Sequence, residues 1–150
     1  MVCVNARILD MVYDIADNIS TDPFDVCDFI GVKIEYVPLP GNIKGMRLAI
    51  DNATLIETTI LLDENSDVDS LKFVCAHELG HCLLHEGMSR MFIENNTFNA
   101  PGKFELEANL FATYFLLYKK DLSSYSDPYE LFSSYGIPDE MIEYIEKICC

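Results

Sequence analysis

Between positions 4 and 19 apolar residues recur at 4, 8, 11, 12, 15 and 19, the one-sided stripe of an amphipathic helix predicted over residues 3–20. Thr21-Asp22-Pro23 then supplies a cap and a proline at the first helical position. A second short helix is expected to about Ile30, with Gly31 just beyond its end. Residues 32–37 (VKIEYV) alternate and are rich in β-branched side chains, the mark of a strand, which Pro38 and Pro40-Gly41-Asn42 close. Residues 45–50 and 56–62 predict two more strands around Asp51-Asn52. The acidic stretch 63–70 is a loop offering Ser66 and Asp67 as N-caps. Helices are predicted for 71–86 (LKFVCAHELGHCLLHE) and 104–118, and from Pro138 to Ile148 within a helical tail over 128–149. Residues 87–103 have no period and contain Asn95-Asn96, Pro101 and Gly102, so they are read as a long loop, functional or mobile. The pattern predicts an α+β fold in a single domain over residues 1–150, with its core at 20–118. A small, mostly antiparallel three-stranded sheet would pack on the 71–86 helix and further helices.

Composition narrows this picture. Half of the 150 residues are hydrophobic, enough for a real core. The net charge of −15, from 25 acidic against 10 basic residues, repels phosphates and argues against direct nucleic-acid binding. It favours cations and partners with basic surfaces. Six cysteines (3, 27, 75, 82, 149 and 150) show no CxxC pairing, and the adjacent pair at 149–150 is poorly placed to bridge itself. No secretory pattern is visible near residue 1, and the strongest apolar run, around 108–118, is far short of a membrane span. Free thiols in a reducing cytoplasm are therefore expected.

All three histidines fall in one segment, at 77, 81 and 85. His77-Glu78-Leu79-Gly80-His81 fits H-E-x-x-H, which puts two imidazoles on one helical face, suited to one Zn²⁺ ion. Glu78 is offset round the helix, where a carboxylate polarises water instead of coordinating. His85 lies two turns from His77, roughly 12 Å along the axis, too far for one ion to bind all three. A second role beside the site and an ordinary surface position are both open to it. In KFELEANLFATYFLL (103–117), Glu105 and Asn109 share a face, a metal-binding carboxylate followed by a residue that accepts from a ligand imidazole. Glu107 is the rival, some 200° away on an ideal helix. Mn²⁺ or Fe²⁺ also suits two imidazoles and a carboxylate. Cys75 and Cys82 flank the motif; buried packing is their ordinary role, and a redox switch is the alternative.

HELGHCLLH at 77–85 followed by ELEANLFATYFLL at 105–117 resembles the ImmA/IrrE-type metallopeptidases. The order before it is similar too: PFDVCDFIG at 23–31, a strand, KGM at 44–46 and ILLDEN at 60–65. The resemblance covers roughly residues 20–118 and implies zinc ligands at His77, His81 and Glu105, with Glu78 as catalytic acid/base. It also implies an exposed sheet edge that holds substrate as an added strand, and a helix-turn-helix repressor of a phage or mobile element as substrate or partner. Tyr118-Lys119-Lys120 departs from the family's usual continuation and allows the helix to run further. Three activities remain: a zinc endopeptidase, a non-proteolytic zinc-binding regulator that relieves repression by binding, and a small-molecule zinc hydrolase. Tyr114, His85 and Arg90 are the candidates for an oxyanion donor. Oligomeric state is not legible.

Overall fold

Ile8, Val12 and Ile15 bury one face of the first helix, α1 (Ala6–Asn18), as their spacing requires. The computed structural model describes residues 6–51, 56–85, 91–95 and 102–146. The second helix, α2 (Pro23–Ile30), starts where the sequence signals it. The Asp22 carboxylate accepts from the Phe24 N–H at 2.8 Å, and Gly31 ends the helix at φ 81°, a left-handed conformation that suits glycine.

The fold is α+β, as expected. The three predicted strands are β1 (Lys33–Val37), β2 (Gly45–Asp51) and β3 (Ile56–Asp63). A fourth, β4 (Met91–Asn95), lies inside the segment read as a loop, and the sheet order is β1-β3-β2-β4. Its sequence, MFIEN, does not alternate apolar with polar residues, so only the partner strand reveals this one. The β2–β3 and β2–β4 pairs are antiparallel and β1–β3 is parallel, which keeps the sheet mostly antiparallel. Asn52, half of the predicted Asp51-Asn52 turn, lies outside the described residues.

The central helix, α3 (Val68–Leu84), begins at Asp67, whose side chain accepts from the Ser70 N–H at 2.9 Å. Every residue from 73 to 81 is buried, so over this stretch the helix has no solvent face. Ile60 and Leu62 of β3 belong to the same core. Gly45 of β2 lets the sheet close on α3: a Cβ there would run into Val74. On the other side α3 packs along α4 (Lys103–Leu117), and Gly80 sits at the contact. A Cβ on Gly80 would lie 3.1 Å from the Phe111 ring and 3.3 Å from Ala108 backbone atoms.

The longer α4 that the sequence allows does not form. Tyr118 is extended (φ −61°, ψ 128°) and Lys119 turns to φ 57°. Both then bind Asp17 at the end of α1: the Tyr118 hydroxyl donates at 3.0 Å and the Lys119 ammonium at 2.8 Å. The tail holds α5 (Pro128–Ser134), capped by Asp127, and α6 (Met141–Glu146). The last helix begins three residues after Pro138, because a turn from the Met141 N–H to the Pro138 carbonyl precedes it.

Candidate metal centre

His77 and His81 stand one turn apart on α3, both buried, with ring centroids 4.8 Å apart and planes 82° to each other. From α4, Glu105 places Oε2 3.2 Å from His77 Nε2 and Oε1 3.0 Å from His81 Nε2. One ligand atom from each of the three residues lies within 4.8 Å of the other two. The close approach of the helices at Gly80 favours this reach, since no side chain on Gly80 separates α3 from the Ala108 backbone and the Phe111 ring of α4.

His77 Nδ1 lies 2.7 Å from Asn109 Oδ1, so the ring donates from Nδ1 to the amide oxygen. The Asn109 main-chain carbonyl in turn accepts from the Thr113 hydroxyl at 2.8 Å. Burial pushes the His77 imidazole below its ordinary pKa, against the pull of Glu105 and Asn109. A neutral ring that carries its proton on Nδ1 presents a lone pair at Nε2, and that lone pair faces a carboxylate oxygen. Two acceptors at such a distance are compatible when a cation lies between them. Two imidazole nitrogens and one carboxylate, partly open to solvent through Glu105, therefore fit a divalent metal ion with a further position available.

His85 is not a surface residue. It is buried at the C-cap of α3, with φ −119°, and its ring lies 4.6 Å from that of Phe104 in an edge-on arrangement. Its Nδ1 is 2.9 Å from His81 Nδ1, and its Nε2 is 3.3 Å from Glu107 Oε2. Burial and the neighbouring His81 lower its pKa, while Glu107 raises it. Glu107, the rival to Glu105, thus meets His85 rather than the two Nε2 atoms. No spacing in the sequence points to this contact, because His85 stands at a helix end and Glu107 on another helix.

Glu78 is fully buried beside His77 in the chain. Tyr114 is partly buried against the core, and Arg90 lies outside the described residues. Cys75 Sγ is 3.9 Å from Cys27 Sγ in the core. Contact with Cys27 and burial push the Cys75 thiol well up, and burial pushes Cys82 up to about 12, so both are protonated packing residues at neutral pH. A groove of about 1190 Å³ lined by Asp67, Asp69, Asp127 and Glu130 lies at the other end of α3 and includes none of the centre's residues.

A family model described as the IrrE N-terminal-like domain matches residues 27–144. The chain is 27% identical over 108 residues to "Uncharacterized immunity region protein 2" of Bacillus phage phi105, covering 72% of this chain and 66% of that protein. It is 31% identical over 104 residues to "Metallopeptidase ImmA" of Bacillus subtilis (strain 168), covering 69% of this chain and 59% of that protein. The matched region thus spans less than two thirds of each relative's length. Among the described residues no helix is long and apolar enough to cross a membrane.

Proposed function

The chain belongs to the IrrE N-terminal-like domain family, and from that premise we propose that it is a zinc-dependent endopeptidase that cleaves a helix-turn-helix repressor. His77, His81 and Glu105 are its metal ligands and Glu78 its general base. The observation that carries this reading is the convergence of both Nε2 atoms on one carboxylate, at 3.2 and 3.0 Å.

A zinc ion held there supplies a Lewis acid and lowers the pKa of water towards 7. The chain's own residues do the rest. Asn109 holds His77 in one tautomer, and the turn between His77 and His81 fixes both rings toward Glu105. Glu78 accepts the proton of the water that attacks the scissile carbonyl and passes it to the leaving amine. An extended substrate segment adds to a sheet edge; β4, which follows the histidine helix in the chain, is one of the two edges.

Two observations support a repressor as the substrate. One relative carries the name of a phage immunity region protein, and another that of a metallopeptidase. A net charge of −15 suits a partner whose DNA-binding domain is basic. The test is Glu78→Gln, incubated after zinc loading with a candidate helix-turn-helix repressor. Wild type is expected to shorten the partner, while the variant keeps its zinc and leaves the partner intact. Undiminished cleavage by the variant would sink the mechanism. A partner that is bound at full length by wild type would replace it with relief of repression by binding.

A further inference from the structure

We propose that His85 and Glu107 are positioning residues for His81: together they fix the tautomer that puts the His81 lone pair on Nε2, the atom that would bind the metal. The inference rests on the metal-centre reading above and deepens it.

The argument runs through two distances. Glu107 Oε2 lies 3.3 Å from His85 Nε2, and a carboxylate only accepts hydrogen bonds, so the proton of the buried ring is on Nε2. A neutral imidazole carries one N–H, so His85 Nδ1 is an acceptor. His81 Nδ1 lies 2.9 Å from it, a distance at which one nitrogen donates and the other accepts. His81 therefore donates from Nδ1, and its remaining lone pair is at Nε2, 3.0 Å from Glu105 Oε1. A carboxylate two positions from the ligand glutamate thus sets the state of a ring it does not touch.

The two ligand histidines are then oriented from the same helix by different routes. Asn109 accepts directly from His77 Nδ1, and Glu107 acts on His81 through His85. Positions 105, 107 and 109 of α4 all serve one centre, although 107 points away from the other two on an ideal helix. The Phe104 ring against His85 shields the relay and holds the His85 ring in place.

Zn²⁺ affinity by chelator competition, measured on the full chain, tests this together with ring nitrogen NMR of the zinc-loaded wild type. His85→Leu keeps the packing and removes the acceptor; it is expected to weaken Zn²⁺ binding about 10–100-fold, the range typical of lost outer partners. His85→Gln, whose amide oxygen accepts from His81 Nδ1–H, is expected to recover most of that loss. The NMR spectrum is expected to show His85 protonated at Nε2 and His81 at Nδ1. Glu107→Leu, at a partly exposed position, is expected to weaken binding in the same direction if His85→Leu fails to fold. A His85 protonated at Nδ1 overturns the proposal, as do unchanged affinities in both leucine variants or a glutamine variant as weak as His85→Leu. A wild type that takes up no Zn²⁺ overturns the metal reading itself, and this inference with it.

Discussion

Glu105 gives one carboxylate oxygen to each of two imidazoles while its side chain keeps 28% of its surface in solvent. That exposure matters: His77 and His81 are buried in the core, so among the described residues the three-residue group opens to solvent on the glutamate's side. Glu105→Ala removes one of the three proposed ligands, and we expect Zn²⁺ affinity to fall by more than about 100-fold, beyond the usual cost of an outer partner. Glu107→Ala should cost less, because it acts through His85. Equal losses, measured by the same chelator competition, would contradict the assignment of roles. The four-residue spacings were enough to bring His77, His81, Glu105 and Asn109 under suspicion from the sequence, because each pair sits on one face of a single helix. His85 was beyond that reasoning. It leaves helical geometry at the C-cap, and its partner Glu107 belongs to another helix, so only the packing of α3 on α4 shows the contact.

At the scale of elements, the metal centre depends on how near two helices can come. Gly80 sits inside the H-E-x-x-H motif, and its missing side chain is what Ala108 and Phe111 pack against. Gly80→Ala brings a gain in helix propensity of about 1 kcal/mol. It also places a Cβ 3.3 Å from the Ala108 backbone, which cannot rotate away. Overpacking of this kind costs about 1–3 kcal/mol, so a net loss of roughly 1 kcal/mol is expected in urea unfolding. The same displacement of α4 should weaken Zn²⁺ binding; a variant that is more stable and binds normally would refute the close-packing argument. Local signals defined most elements well. Asp22, Gly31 and Asp67 mark helix ends chemically, and the alternating strands announce themselves. The end of α4 and the existence of β4 were not legible, since the first is decided by Asp17 on α1 and the second by pairing with β2.

Taken whole, the molecule carries a −15 charge around a buried centre whose proposed ligands come from two helices separated in the chain by β4. Its N-terminal helix lies outside the region matched by the family, residues 27–144, yet it touches the C-terminal ends of both helices that carry the proposed ligands. Arg7 donates to the Leu84 carbonyl at 3.0 Å, at the last turn of α3, where His81 and His85 meet. Asp17 holds Tyr118 and Lys119 just past α4, and the Tyr13 and Tyr118 rings lie 5.1 Å apart. The boundary of the family match therefore cuts across contacts that join α1 to the ends of α3 and α4. A chain begun at residue 27 would forfeit Ile8, Val12 and Ile15 from the core, roughly 1.5–3 kcal/mol for each buried side chain. That sum is comparable with the whole margin of a domain this size. We expect the fragment to lose its cooperative melting transition by circular dichroism, and a transition at the full chain's temperature would show α1 to be dispensable. If α1 is needed, what descent preserved as a recognisable pattern is smaller than what physics requires as a working unit.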